Sequence, residues 1–305
     1  MKRRHFVKSS LLSSAAIPPV NAGDPIGNEE MNPFKLKFAP HLGMFKHHAG
    51  EDPIDQINFM ADQGFHAFED NNMMRREVPL QEKIGKALVD RNMTMGVFVT
   101  GRVQSDGRPV LPGNHEDLRA AFLDSIRESI DVAKRVNATW MTVVPGRKDF
   151  RLDMGYQTSN VVELLKRASD ILEPHGLVMV LEPLNFFNHP GYFLTEIPQT
   201  FQICKAVDSP SCKILFDIYH QQIQEGNIIP NIDMAWDEIA YFQIGDNPGR
   251  KEPTTGEINY PNIFRVIHEK GFKGVLGMEH GNYYPGKEGE QKLIEAYRSV
   301  DLVND

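Results

Sequence analysis

The 305-residue chain has little cysteine, no excess of positive charge and no apolar run long enough to cross a bilayer. Its two cysteines, Cys204 and Cys212, cannot build a disulfide framework, and their spacing fits no metal-binding motif. Lysine and arginine number 33 against 41 aspartates and glutamates, so the formal net charge is -8. That balance repels phosphate backbones, and no nucleic acid is expected as a partner. With 41% hydrophobic and 24% charged residues, the chain has the composition of a globular protein with a sizeable core.

The first 22 residues are interpreted as an export signal. Residues 2–8 (KRRHFVK) are basic, residues 11–20 are modestly apolar, and residues 20–22 (VNA) offer a small-residue cleavage site. This pattern resembles a twin-arginine signal, and its apolar part is too short to span a bilayer. We therefore expect a periplasmic or secreted protein without a membrane anchor; the alternative is a disordered basic N-terminus. Residues 23–34 are then a polar linker.

From residue 35 onward, short β-rich apolar runs alternate with longer amphipathic segments, which is typical of βα units and a parallel sheet. Strands are predicted at residues 35–39, 66–69, 94–100, 140–144, 177–182, 213–217, 239–244 and 274–279. Helical segments between them include residues 53–63, 80–91, 116–136, 160–175, 197–207 and 260–270. Eight repeats predict one domain, a (β/α)₈ TIM barrel over residues 35–305, which commonly needs ~250 residues.

Four consecutive predicted strands end in an oxygen-bearing side chain. These residues are Glu182, Asp217, Gln243 and Glu279, and in a TIM barrel the strand ends form the active site. A lone carboxylate is costly to bury, so three together call for a cation. An all-oxygen set suits Mg²⁺ or Mn²⁺ better than zinc. For any one residue taken singly, a salt bridge to a barrel lysine or arginine is the alternative.

The segments around these residues resemble the hydroxypyruvate isomerase family. Residues 181–185 (LEPLN), 190–194 (PGYFL) and 216–220 (FDIYH) carry the resemblance. The longest block is residues 242–250 (FQIGDNPGR), continued by residues 252–260 (EPTTGEINY). The similarity is close over residues 176–280, whereas the part before residue 177 resembles the family only as a barrel.

The resemblance implies a divalent metal held by Glu182, Asp217, Gln243 and Glu279. It also implies that Glu182 and Glu279 move protons. In such enzymes the metal chelates the carbonyl and the neighbouring hydroxyl oxygen of a small keto-acid, which stabilises a cis-enediolate. One glutamate removes the carbon-bound proton and the other serves the adjacent carbon. Hydroxypyruvate would become tartronate semialdehyde by this route.

Two further residues are candidates for substrate binding. His220 follows Asp217 by three residues, and its imidazole is placed to hydrogen-bond an enediolate oxygen, or else to brace a ligand carboxylate. The planar guanidinium of Arg250 matches a substrate carboxylate, with pairing to Glu252 or Glu257 as the alternative.

Departures from the family pattern leave the substrate open. Residues 280–282 (HGN) and 69–72 (EDNN) differ from the family, and such loops wall the pocket. The alternatives are a sugar or 2-oxo-sugar-acid isomerase or epimerase of the same superfamily, and an exported binding protein without catalysis. Gln243 disfavours the ketose 3-epimerases, and the presence of both glutamates disfavours a mere binding protein. A barrel nuclease would need several clustered histidines and a basic groove. The sequence also leaves a homo-oligomer open.

Overall fold

The computed structural model describes residues 33–301. Within that range eight strands, β1 to β8, occupy Phe38–Ala39, Ala67–Phe68, Thr94–Met95, Trp140–Val143, Val178–Leu181, Cys212–Asp217, Ile239–Ile244 and Leu276–Met278. Each lies inside or within one residue of a predicted strand. The predicted signal at residues 1–22 lies outside the described residues, as does nearly all of the predicted linker.

Helices follow the strands around the fold. Over the described range, α1 to α10 occupy Lys46–Ala49, Pro53–Asp62, Val78–Asp90, Glu116–Val136, Met154–Leu172, Ile197–Val207, Ile218–Gln224, Ile228–Ala235, Tyr260–Glu269 and Gly286–Val300. All six predicted helical segments are present. The structure adds α1, α7, α8 and α10. No helix in residues 33–301 is long and apolar enough to cross a membrane.

The strands form a TIM-barrel-like arrangement in which all neighbours are parallel. Six strands pair in the order β1-β8-β7-β6-β5-β4, and β2 pairs with β3. Isolated bridges join the two sheets, one between His41 and Glu69 and two from the β3 segment to the β4 segment. The predicted fold class is therefore confirmed for the α/β barrel.

The core has an inner and an outer part. Small and medium side chains from the strands meet inside the barrel, together with one large ring: Ala39, Ala67, Val97, Val180, Leu215, Tyr241 and Val275. A larger cluster of leucine, isoleucine, valine and aromatic side chains fills the space between strands and helices. The outer part begins at Phe34, which is buried and stacks on Phe65 with ring centroids 4.6 Å apart. This packing fixes the strand ends, where the predicted site residues lie.

Candidate active site

The four residues predicted to bind metal occupy the ends of four neighbouring strands. Glu182 follows β5 and Glu279 follows β8, while Asp217 ends β6 and Gln243 lies near the end of β7. The strand register sets Asp217 beside Gln243, and Gln243 beside Gly277. Glu182, Asp217 and Gln243 are buried, and Glu279 is partly buried. The barrel thus brings all four to one end of the sheet, as the strand pattern predicted.

Asp217 is fixed from two sides. Its Oδ1 accepts hydrogen bonds from the backbone N–H groups of Tyr219 (2.8 Å) and His220 (3.3 Å), so it is the N-cap of α7. Its Oδ2 accepts a hydrogen bond from Arg250 at 2.9 Å. The short α7 therefore begins at the last residue of β6 because Asp217 satisfies its first free N–H groups.

The ring of His220 is held by Asn185. Nδ1 lies 2.7 Å from Asn185 Nδ2 and accepts from the Asn185 backbone N–H at 3.3 Å. The Asn185 amide is oriented in turn, because its Oδ1 accepts from the backbone N–H of Asn188 at 2.9 Å. Two donors at Nδ1 leave the ring proton on Nε2. Nε2 lies 3.6 Å from Asp217 Oδ2 and 3.8 Å from Glu182 Oε1.

Burial lowers the pKa of His220 to about 4, despite the neighbouring Asp217 carboxylate. The imidazole is therefore neutral near pH 7, with its Nε2–H directed toward the acidic residues. The predicted role in binding a substrate oxygen requires a donor of this kind.

Arg250 bridges two of the acidic residues. One terminal guanidinium nitrogen donates to Asp217 Oδ2 at 2.9 Å and to Glu279 Oε2 at 2.8 Å, and the guanidinium lies 4.9 Å from the centroid of the Tyr219 ring. Burial by itself lowers the pKa of Arg250, but Glu279, Asp217 and Glu182 more than offset that effect, so the pKa is raised above its ordinary value.

The alternative partners proposed for Arg250 bind elsewhere. Glu252 accepts from the Tyr283 backbone N–H, and Glu257 accepts from the Asn247 side chain. Arg250 instead lines the same cavity as Glu182, Glu279 and His220, where a substrate carboxylate is predicted to bind.

The loop that carries Arg250 is organised by Asp246, which the sequence analysis gave no role. This carboxylate is fully buried and accepts from the backbone N–H groups of Asn247 (2.9 Å), Gly256 (2.9 Å) and Ile258 (3.1 Å). A buried carboxylate with three N–H donors rigidly joins both ends of a loop. The conformation of this loop is therefore set from inside the protein.

The two glutamates have strongly perturbed acidity. Burial raises the pKa of Glu182 well above its usual value, and the Glu279 and Asp217 carboxylates raise it further. Burial also raises the pKa of Glu279 to about 7, with Arg250 opposing the rise and Asp217 adding to it. Fully or partly buried carboxyl groups with raised pKa values at the wall of a cavity are typical of general acids and bases.

The residues fit a divalent cation. Among the histidines, cysteines and acids of residues 33–301, Glu182, Asp217 and His220 form a group whose ligand atoms lie within 4.8 Å of one another. Glu279 is outside that group, but it shares the Arg250 nitrogen with Asp217. Gln243 Oε1 is buried without a hydrogen-bond partner. Crowded carboxylates and an unpaired amide oxygen are what a hard cation such as Mg²⁺ or Mn²⁺ binds.

Glu69 adds a carboxyl group that the sequence analysis noted only as a departure from the family. It directly follows β2 and is 1% exposed. Its Oε2 accepts from the Tyr241 hydroxyl at 2.8 Å, and its Oε1 accepts from Gln243 Nε2 at 3.0 Å. Burial raises the pKa of Glu69 to about 8, and the Glu279 carboxylate contributes to the rise. An acid at the end of a predicted strand was the available signal, as it was for Glu182, Asp217 and Glu279.

A cavity of about 520 Å³ opens at this end of the barrel. Its inner wall includes Glu182, His220, Arg250 and Glu279, and its outer wall is formed by the segments that follow β3 and β4. Asn71, from the segment after β2, also lines it and donates to Glu279 Oε1 at 2.9 Å. The candidate catalytic groups therefore face an open cavity large enough for a small-molecule ligand.

Comparison with known proteins is consistent with this arrangement. The family described as a xylose isomerase-like TIM barrel matches residues 57–300. The chain is 32% identical over 189 residues to hydroxypyruvate isomerase from Escherichia coli K12, covering 62% of this chain and 70% of that protein. It is 31% identical over 250 residues to 2-oxo-tetronate isomerase from Cupriavidus necator, covering 80% and 92%.

A solved structure described as an AP endonuclease of family 2 from Brucella melitensis shares the fold. Its TM-score is 0.71 at 24% identity, and the match covers 83% of this chain and 96% of the other. That similarity supports the barrel and carries no information on the reaction.

Proposed function

The chain belongs to the xylose isomerase-like TIM barrel family. We propose that this isomerase depends on a metal ion and that its substrate is a small keto-acid similar to hydroxypyruvate. The observation that carries the proposal is the pair Glu182 and Glu279. These two carboxyl groups have raised pKa values, come from different strands and line one cavity beside Arg250.

The proposed metal ligands are Glu182, Asp217, Gln243 and Glu279, which would hold Mg²⁺ or Mn²⁺. When bound, such an ion acts as a Lewis acid toward the carbonyl and hydroxyl oxygens of the substrate and acidifies the carbon-bound proton. The unpaired Gln243 Oε1 and the crowded carboxylates support this assignment.

Proton movement is assigned to the two glutamates. One glutamate, as the carboxylate, removes the proton from the carbon that bears the hydroxyl group and leaves a cis-enediolate. The other, as the carboxylic acid, protonates the adjacent carbon, and the hydroxyl proton passes to the former carbonyl oxygen, so carbonyl and hydroxyl exchange places. His220 Nε2–H donates to an enediolate oxygen. The Arg250 guanidinium binds the substrate carboxylate once Asp217 and Glu279 no longer require it as their counter-charge.

A second candidate reaction in the same class is isomerisation or epimerisation of a larger sugar or 2-oxo-sugar acid. The cavity of about 520 Å³ favours it, since pockets of ~300–1,000 Å³ usually enclose ligands much larger than three carbons. A nuclease is disfavoured, because within the described part of the chain the close group of metal-ligating side chains contains one histidine.

The test is hydrogen exchange during turnover. Metal-loaded protein is incubated with hydroxypyruvate, 2-oxo-tetronate and a set of ketoses in D₂O, and exchange and product are followed by NMR. We expect Glu182→Gln and Glu279→Gln each to lower isomerisation by at least ~10²-fold, the scale of general acid–base catalysis. Glu257→Gln is the matched control, because Glu257 is exposed and its bond to Asn247 survives in the variant.

Metal content, measured by elemental analysis, separates the two roles of each glutamate. A residue that only holds the ion loses activity in step with metal occupancy, whereas a proton-transfer residue loses activity with the ion still bound. If either metal-loaded variant keeps near-wild-type turnover and exchange, the two-glutamate mechanism is wrong. If the wild-type protein gives neither turnover nor exchange with any of these compounds, a non-catalytic binding protein is the better explanation.

The location we propose is the periplasm or the exterior of the cell. It rests on the twin-arginine pattern of residues 1–22, which lie outside the described residues.

A further inference from the structure

The cavity extends well beyond the acidic residues. Its outer wall contains Arg102, on the segment after β3, and Arg147, on the segment after β4. A three-carbon keto-acid bound between Glu182 and Glu279 would leave most of the cavity of about 520 Å³ to other parts of a ligand or to water. The chemistry of the outer wall therefore bears on substrate choice.

Within residues 33–301, no carboxylate is in ion-pair contact with either of these arginines. Among the residues that the structure describes, Arg102 has no hydrogen bond or ion pair, and it is exposed. Partial desolvation and the neighbouring Arg75 lower its pKa, whereas the Glu182 and Glu279 carboxylates oppose that effect without contacting it. Arg147 donates to the Pro190 carbonyl at 3.2 Å and lies 5.5 Å from the centroid of the Tyr192 ring, and no described carboxylate pairs with it.

The other two arginines of the cavity differ. Arg108 forms two hydrogen bonds with Asp117, at 2.7 and 3.1 Å, and Arg250 is held by the acidic residues of the inner wall. In a chain with a net charge of -8, this wall of the cavity therefore carries two guanidinium groups that no described carboxylate contacts.

We propose that Arg102 and Arg147 form a second anion-binding subsite and that the substrate carries an anionic group at the end remote from its reacting carbonyl. A planar guanidinium binds a carboxylate or a phosphate ester through two parallel hydrogen bonds. The substrate class is then a keto-acid or keto-sugar longer than three carbons, with a distal carboxylate or phosphate. The assignment of the reacting end rests on the proposed isomerase function.

The experiment compares substrates that share the reacting end and differ at the far end, which is a hydroxymethyl group, a carboxylate or a phosphate ester. For Arg102→Gln and Arg147→Gln we expect KM for the distal anions to rise ~10–100-fold, the usual loss for a hydrogen bond to a charged group. The kcat should stay within ~3-fold, and KM for the hydroxymethyl compound and for hydroxypyruvate should not change. Arg108→Gln is the matched control, because Asp117 already occupies that side chain.

The subsite would be overturned if the wild-type protein did not prefer substrates with a distal anion. It would also be overturned if the arginine variants raised KM equally for every substrate, or if Arg108→Gln raised KM as much as they do. Should no compound turn over or exchange, the isomerase proposal fails, yet calorimetric binding of a non-reacting dicarboxylate and of its phosphorylated analogue to the same variants still tests the subsite. Whichever of the two binds more tightly identifies the distal group.

An independent inference concerns Glu69. Gln243 donates its Nε2 to Glu69 Oε1, so its own Oε1 faces away from Glu69 and stays without a partner. We infer that Glu69 is a positioning residue that fixes the Gln243 amide and keeps its oxygen available as a ligand. Hydrogen-bond partners of a ligand commonly control metal affinity in this way.

Affinity for Mn²⁺, measured by electron paramagnetic resonance titration of metal-free protein, tests this role without any assay of activity. We expect Glu69→Ala to weaken binding ~10–100-fold, and Glu69→Gln to restore it to within a few-fold, because a glutamine oxygen still accepts from Gln243. Tyr241→Phe is the control, since it removes the other bond to Glu69 and leaves the Gln243 contact. Unchanged affinity in folded Glu69→Ala, or equal losses in the alanine and glutamine variants, would refute the positioning role.

Discussion

Adding one methyl group at Gly277 should destabilise the whole barrel. Gly277 lies on β8 beside Gln243, and a Cβ built there would stand 1.8 Å from Glu69 Oε2 and 3.2 Å from Gln243 Cγ. Real Cβ contacts are essentially never below 3.0 Å, so the Glu69 carboxyl group or the strand must move by more than 1 Å (3.0 minus 1.8). The carboxyl group cannot retreat freely, because Tyr241 and Gln243 hold both of its oxygens inside the protein.

The magnitude lies between two limiting cases. Overpacking of a filled core typically costs ~1–3 kcal/mol. If Glu69 is displaced instead, the buried groups that it pairs with lose their partners, at ~1–3 kcal/mol each. We therefore expect Gly277→Ala to lower the free energy of unfolding by about 2–5 kcal/mol, measured by urea denaturation followed by circular dichroism.

The cause can be isolated with a double variant. Glu69→Ala removes the oxygen that the new methyl group would strike, so combining it with Gly277→Ala should cost less than the sum of the single changes. Gly155→Ala in α5 is the control, because its Cβ would meet nothing within 4 Å and alanine favours helix. A Gly277→Ala protein within ~0.5 kcal/mol of wild type would refute the reasoning.

Three further outcomes are expected. In metal-free protein, the folded-state pKa of Glu69 (about 8) lies above its ordinary value of 4.5. The stabilisation that the protonated Glu69 gives the folded state is therefore complete below about pH 4.5 and is lost as pH rises to about 8. Between these values, urea titrations should show the free energy of unfolding of the wild type falling relative to Glu69→Gln, by at most ~1.4 kcal/mol per pH unit. Adding Mn²⁺ to chelator-treated wild-type protein, at a hundred times the wild-type Kd, should raise the free energy of unfolding by ~2.7 kcal/mol. The same Mn²⁺ concentration should raise it by less for Glu182→Gln, and equal shifts would exclude Glu182 as a ligand. Replacing Arg3 and Arg4 with lysine should keep the chain in the cytoplasmic fraction, and undiminished export would contradict a twin-arginine signal.

The sequence alone was sufficient to predict the eight strands and the placement of four polar residues at one end of them. Both follow from local patterns: alternating βα segments require a barrel, and a barrel gathers the ends of its strands. It did not predict what those side chains contact. Arg250 was expected to bind substrate or Glu252 or Glu257, and its bridge between Asp217 and Glu279 depends on how distant segments pack.

Glu69 illustrates the same limit more strongly. Its partners Tyr241 and Gln243 lie more than 170 residues away along the chain. No local periodicity encodes such a pairing, nor does it show that a glycine on β8 makes room for the carboxyl group. The helix α7 was missed for a different reason, since it begins at the last residue of a strand and leaves no separating turn to read.

The bridge formed by Arg250 changes what a metal titration of this protein measures. Asp217 and Glu279 already share a permanent positive charge supplied by their own chain, so the proposed metal ion would have to replace one cation with another. The apparent dissociation constant of the ion would then include the cost of separating Arg250 from the two carboxylates. A weak apparent affinity would therefore not mean that the ligands are poor. A variant that shortens or neutralises Arg250 would bind the ion more tightly. It would also lose the guanidinium that is proposed to bind the substrate carboxylate, so at this residue metal affinity and substrate affinity oppose each other.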